Sequence, residues 1–155
     1  MNEYLFEARE ELKRLEHIIY VSLKYTRTVD VINNALNRMV STYDLIIEAF
    51  MEKALEEGKL DQIPKSPALK AKKLGDFYPD DPVIQKNLTF YFSLRNIVKS
   101  PHQKRQEFRR HVTLVLDLED STTEVNIDNL VNCEKFIHKF LLCSRRIIEG
   151  ITEEE

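Results

Sequence analysis

A short basic segment in the second half of the chain holds the residue types that most directly suggest chemistry. Arg95 and Asn96 are followed by His102. A planar guanidinium can bind two phosphate oxygens at once, and a neutral imidazole can accept or release a proton near neutral pH. These residue types so close together indicate that the segment handles a phosphate group.

The charge distribution favours the same segment. The chain has 155 residues and a formal net charge of −3, which argues against a uniformly basic nucleic-acid-binding protein. Residues 95–111 nevertheless carry a net charge of +5, so the rest of the chain carries −8. Any contact with an anion should therefore be confined to this segment, whose candidate phosphate ligands besides Arg95 are Lys99, Lys104, Arg105, Arg109 and Arg110.

Arg95 interrupts an apolar pattern. Ile84, Leu88 and Tyr91 follow a helical spacing that places the next core position at residue 95. An arginine there must be buried with a partner, extend to an edge, or face a cleft or a subunit boundary, because an unpaired buried charge is costly. An ion pair with Glu48 or Glu52 is one alternative to a functional role.

The residues after Arg95 predict a new helix. Ser100 can cap a helix whose first position is Pro101, and Gln103 would complete a capping box. We therefore predict a helical piece over residues 101–110. His102 would then lie at a helix N-terminus, where free amides and the helix dipole favour a phosphate.

The segment from Leu94 to His102 resembles the signature of the HEPN superfamily. That signature is an Arg followed by a polar residue, with a His after four to six intervening positions, on a late helix of a helical bundle. Here Asn96 follows Arg95, and six residues intervene before His102. The serine and proline before His102, and a hairpin before the last helix, depart from the usual pattern.

The resemblance implies a function for these residues. Many HEPN proteins are metal-independent ribonucleases of toxin–antitoxin or defence systems that act as homodimers, and others bind RNA or nucleotides without catalysis. On this basis His102 would be the acid–base group, Arg95 would stabilise the charge on the phosphate, and Asn96 would orient the substrate or the histidine. The alternative from another functional class is a non-catalytic protein-interaction bundle that acts as a dimeric scaffold.

The elements that must position these residues are mostly helices. Apolar residues at spacings of three and four predict helices over residues 3–26, 29–56, 82–99 and 129–149. Alternating residues predict a β-hairpin over about 111–118 and 123–128, before the last helix. The predicted fold is a single all-α domain spanning residues 1–155, an up-and-down bundle of four to five helices with this small hairpin.

The remaining segments connect or end these elements. Residues 59–82 contain four prolines and a glycine, and predict a long surface connection with a short helix at 67–74. Residues 151–155 predict a frayed acidic tail. Thr28 and Gly58 are expected to begin and end the second helix.

The composition argues against several kinds of binding site and against a membrane protein. Three widely spaced glycines exclude a glycine-rich phosphate loop, and the two cysteines and four histidines lack the close spacing of a zinc site. His17 and His138 are expected to be packing residues. We expect no metal and no cofactor. With 43% hydrophobic residues, no long apolar run and no signal-peptide pattern, a cytoplasmic protein without membrane contact is expected.

Overall fold

The computed structural model describes residues 2–100, 102–105, 112–117 and 122–150. Five helices form most of this part of the chain. Helix α1 begins at Glu3 and ends at Tyr25, and the others are α2 (Val29–Glu56), α3 (Pro67–Phe77), α4 (Pro82–Lys99) and α5 (Ile127–Glu149). The predicted acidic tail, residues 151–155, lies outside the described residues.

Helix α1 changes its winding near its end. It is α-helical over Glu3–His17, π-helical over Ile18–Ser22, and α-helical again over Leu23–Tyr25. A π-helical turn holds more residues than an α-helical turn, so it rotates the following side chains around the axis. The buried stripe therefore continues at Leu23, which is fully buried, whereas Ser22 is only partly buried.

Helix α2 is the central helix of the bundle. It packs against α1, α3, α4 and α5. Its predicted boundaries are confirmed, because the Thr28 hydroxyl accepts from the Val31 amide at 3.3 Å and Gly58 adopts a φ of 78° just after the helix. The predicted stripe is buried along its whole length: Val29, Ile32, Leu36, Met39, Tyr43, Ile46 and Phe50.

A buried polar contact fixes how α2 meets α4. The Tyr43 hydroxyl donates to Asn87 Oδ1 at 2.7 Å, and both residues are buried. The Asn87 amide in turn donates to the Val83 carbonyl at 2.8 Å. A buried hydrogen bond of this kind holds the two helices in one register, since any slip would leave polar atoms unsatisfied.

The connection between α2 and α4 is more ordered than predicted. Its short helix, expected at 67–74, extends to Phe77 and packs on α2 and α4. Ala71 and Leu74 are fully buried, and Ser66 and Pro67 begin the helix as cap and first residue. Residues 59–82 are therefore only partly a surface connection.

The prediction of a helix over residues 101–110 is wrong for the described part of that range. Helix α4 ends at Lys99, Ser100 has an extended backbone with ψ of 147°, and His102–Arg105 form strand β1. The Ser100 hydroxyl donates back to the Asn96 carbonyl at 2.8 Å instead of capping a new helix. Proline disfavours a helical conformation in the residue before it, which explains the extended Ser100. Residues 101 and 106–111 lie outside the described residues.

The predicted hairpin is confirmed and belongs to a larger sheet. Its strands are β2 (Thr113–Asp117) and β3 (Thr122–Asn126), paired in antiparallel fashion. Strand β1 pairs with the other side of β2, with His102 opposite Leu116 and Arg105 opposite Thr113. The described residues thus form a three-stranded sheet in the order β1-β2-β3, with Leu114 and Val125 buried against the helices.

Helix α5 completes the bundle. Asn126 and Asn129 form a reciprocal capping box at its start, each side chain accepting from the other backbone amide at 3.0 Å. Gly150, with a φ of 69°, ends it as predicted. The predicted fold class, an all-α bundle with a small hairpin before the last helix, is confirmed. Among the described residues, no helix combines the length and apolar character needed to cross a membrane.

Candidate functional site

Arg95 is held by a chain of polar contacts rather than by a glutamate. One guanidinium nitrogen donates to the Tyr91 hydroxyl at 3.1 Å, and the guanidinium carbon lies 5.7 Å from the centre of the Tyr91 ring. The Tyr91 hydroxyl donates to Asp44 Oδ1 on α2. Glu48, one of the two partners considered from the sequence, instead pairs with Lys70 at 2.7 Å. Arg95 is therefore a partly exposed cation held in place by a buried tyrosine.

The electrostatics of this network follow from burial. Burial raises the pKa of Asp44, and the Tyr91 hydrogen bond and the Arg95 charge oppose that rise. Burial and the hydrogen bond to Asp44 raise the pKa of Tyr91 to about 12. Tyr91 therefore stays protonated near neutral pH and acts as a donor to Asp44 while it accepts from Arg95. The guanidinium has five N–H donors, of which this contact uses one.

The neighbouring predicted residues on α4 are exposed. Lys99 lies one helical turn after Arg95, on the same side of the helix, and Asn96 lies beside Arg95. Both side chains are exposed, so either can reach a ligand without displacing core residues. Asn96 also provides the backbone carbonyl that the Ser100 hydroxyl contacts.

The other predicted site residues follow the helix end. His102, Lys104 and Arg105 belong to strand β1, so His102 is not at a helix N-terminus and the expected dipole contribution is lost. Strand β1 begins three residues after the end of α4 in the sequence. Arg109 and Arg110 lie outside the described residues.

No family model, curated protein or solved structure matches this chain. A function must therefore be argued from the residues and their geometry. The HEPN resemblance, which covers residues 94–102, remains a prediction.

A second cluster of residues that can bind a proton or a metal ion lies on helices α1 and α5. Glu16 on α1, together with Glu134 and His138 on α5, places one ligand atom of each side chain within 4.8 Å of the other two. Two cavities of about 210 Å³ and 310 Å³ adjoin the cluster, and Glu16 and His138 line both. Glu134 is only 6% exposed.

Glu134 lies close to a second carboxyl group, and its pKa reflects both that neighbour and its burial. Burial is the largest cause that raises the pKa of Glu134, to about 7, followed by hydrogen bonding and charge repulsion from Glu16. The nearby Lys135 opposes this rise. The same two carboxylates contribute to the raised pKa of Tyr20, one turn beyond Glu16 on α1, for which burial is the main cause. The cluster can hold a proton near neutral pH or coordinate a cation.

Sequence reasoning did not find this cluster. It assigned His138 a packing role and searched for metal sites through close Cys and His pairs. The available signal was Glu134 and His138 at a spacing of four, which places both on one face of a helix. Glu16 joins them only because α1 packs against α5, and that contact is not visible in the sequence. His17, the other histidine assigned to packing, is exposed.

Proposed function

We propose that this chain binds the phosphate groups of RNA through the end of α4 and strand β1. The observation that supports this most is the fixed position of Arg95. Tyr91 holds its guanidinium by a hydrogen bond and by its ring, so little side-chain freedom is lost when an anion binds. A positioned guanidinium is well suited to two oxygens of one phosphate.

The charge around Arg95 also favours a ligand with many phosphate groups over a ligand with a single phosphate. Lys99 extends the basic surface by one turn of α4, and β1 adds Lys104 and Arg105 to the same stretch of chain. The rest of the chain is acidic, with a net charge of −8, so nonspecific binding elsewhere is disfavoured. Several cations in one short stretch of chain can contact several phosphates of a nucleic acid.

RNA binding is tested by measuring the affinity for a labelled single-stranded RNA over a series of salt concentrations. Arg95→Ala should weaken binding and reduce the slope of log affinity against log salt by about 0.7, the value for one lost phosphate contact. The matched control is Lys86→Ala, which removes one exposed positive charge from the other end of α4. Equal salt slopes for the two variants, or no binding at low salt, would refute the proposal.

Cleavage is the catalytic extension of the same proposal. His102 would act as acid and base, with Arg95 on the phosphate and Asn96 orienting the substrate or the histidine. The assay incubates the protein and His102→Ala with RNA in a chelating buffer. Loss of cleavage in the variant supports a metal-independent nuclease. Equal cleavage by both proteins excludes that role for His102, and no cleavage by either leaves a binding protein.

We propose a dimeric scaffold as the second candidate. The supporting observation is that β1 and β3 each pair on one side only within the described sheet, so each offers an edge to another chain. Sedimentation analysis tests it: a concentration-dependent dimer supports the scaffold or a dimeric nuclease, and a monomer at all concentrations excludes both. Capture of a stable protein complex without RNA would favour the scaffold.

A further inference from the structure

We propose that Glu16, Glu134 and His138 bind one divalent transition-metal ion, Zn²⁺ or an ion with the same ligand preference. This site is distinct from the RNA-binding surface, since its ligands lie on α1 and α5 whereas Arg95 lies on α4. The central observation is that three ligand atoms of the right kind converge to within 4.8 Å of one another.

Helical spacing on α5 and the packing of α1 against α5 bring these three residues together. Glu134 and His138 are four residues apart on α5 and therefore project from the same face. Helix α1 packs against α5 and contributes Glu16, which lies just before the π-helical turn of α1. A two-helix arrangement holds ligands more firmly than a loop does, because the backbone positions are fixed by core packing.

The donor set selects a class of ion. Carboxylate oxygens and imidazole nitrogens are both zinc donors, and a set of three protein ligands leaves a fourth position for water or substrate, as in catalytic zinc sites. Mg²⁺ and Ca²⁺ prefer oxygen ligands alone, so the imidazole favours a transition metal. The two carboxylates together match the charge of a divalent ion.

The burial of Glu134 gives an independent reason to expect a cation. Its side chain is 6% exposed and faces a second carboxylate, an arrangement that is costly when both groups are charged. Of the basic side chains that line the two cavities, Lys13 pairs with Glu10 at 3.6 Å; the others are Arg9, Lys135, Lys139 and Arg145. A divalent ion between Glu16 and Glu134 would remove the repulsion.

The space around the ligands suits an open coordination position. Metal–ligand bonds of about 2.0–2.2 Å imply donor separations of roughly 3.4 Å in a tetrahedral site. Glu16 is only partly buried and can move by the required ångström through side-chain rotation. The two adjoining cavities leave room for at least one water molecule as the fourth ligand.

The test is a calorimetric titration of the full-length, chelator-treated protein with ZnCl₂. We expect one ion per chain, and a loss of affinity of more than about tenfold for His138→Ala, since even outer partners of metal ligands contribute that much. His17→Ala is the matched control, because it removes an exposed histidine next to Glu16 in sequence. Glu134→Gln, which keeps the shape of the side chain, provides a second ligand variant should His138→Ala fail to fold.

Two outcomes would overturn the proposal. One is the absence of stoichiometric Zn²⁺ binding to the chelator-treated protein. The other is binding that the two ligand variants retain, or that Cys133→Ser abolishes, because the ion would then sit at a thiolate. Cys133 is partly buried and packs against the core. Neither outcome depends on whether the chain binds RNA.

Discussion

Glu134 on helix α5 and Glu16 on helix α1 place carboxylate oxygens within 4.8 Å of each other. Burial, followed by the proximity of Glu16, raises the pKa of Glu134 to about 7, so Glu134 binds a proton at pH values where exposed carboxylic acids are ionised. Its immediate surroundings include His138, Lys135 and Tyr20. Removal of that proton introduces charge repulsion between two packed helices, and this gives the bundle a stability that depends on pH.

The first prediction concerns this pH dependence in the metal-free protein. The pKa of Glu134 is raised from 4.5 to about 7 in the folded chain, so the folded state binds more protons than the unfolded state between these values. The stabilisation is complete below about pH 4.5 and is lost as the pH rises through about 7. We expect the free energy of unfolding to fall by on the order of 1–2 kcal/mol over this range, less than the full shift implies, because Lys135 and solvent screen the pair.

Chemical denaturation in a chelating buffer at several pH values measures this effect. Glu134→Gln should remove most of the pH dependence because its side chain does not ionise. Glu7→Gln, at an exposed position of α1, should leave it unchanged. A stability that rises steadily from about pH 5 to about pH 8 in the parent protein would contradict the assignment.

The second prediction concerns the contact between α2 and α4. Tyr43→Phe removes the hydroxyl and leaves the buried Asn87 Oδ1 without its donor. We expect a loss of about 1–3 kcal/mol in the free energy of unfolding. Tyr25→Phe removes a hydroxyl from a residue that is 80% exposed and should have no measurable effect. Urea denaturation of the two variants compares them directly, and equal stabilities would show that the buried bond contributes nothing.

The third prediction concerns the capping box of α5. Asn126→Ala removes the acceptor for the Asn129 amide, which should cost about 1 kcal/mol of stability. Asn34→Ala is the matched control: this exposed asparagine lies within α2, where alanine is the better helix former. We expect opposite shifts in the thermal unfolding midpoint, downward for Asn126→Ala and upward or none for Asn34→Ala. A downward shift in both would argue against a specific capping effect.

The fourth prediction distinguishes the contribution that the position of Arg95 makes to RNA binding from the contribution of its charge. Tyr91→Phe keeps the ring beneath the guanidinium but removes the hydroxyl that fixes it. We expect severalfold weaker RNA binding with an unchanged salt slope, because the number of cations that contact phosphate stays the same. Arg95→Ala should change both quantities. A reduced salt slope in Tyr91→Phe would mean that the hydroxyl does more than orient Arg95.

The helices could be predicted because the residues that specify each helix lie within that helix or at its ends. The repeated spacing of three and four in α2 specifies its buried face, and Thr28 and Gly58 mark its ends through backbone chemistry alone. Helix α4 follows the same rule between Pro82 and Lys99. In each case the signal lies within the element that it predicts.

Strand β1 was not predictable in that way. Ser100, Pro101 and Gln103 satisfy a helix-start pattern, whereas the strand at His102–Arg105 depends on pairing with β2, whose own pattern is strong. The π-helical turn in α1 and the meeting of Glu16 with His138 likewise depend on tertiary packing. For the candidate site, the sequence indicated Arg95 as unusual but not that Tyr91 and Asp44 would hold it.

The π-helical turn at Ile18–Ser22 rotates the residues after it around the axis of α1 relative to the residues before it. It lets Leu15 and Leu23, which lie on either side of it, both face the core. Deletion of one residue from this turn would restore regular α-helical winding but swing Glu16 around the axis relative to the end of the helix. The π-helical turn therefore sets how the segment that carries Glu16 is rotated relative to Leu23 and the chain that leads into α2.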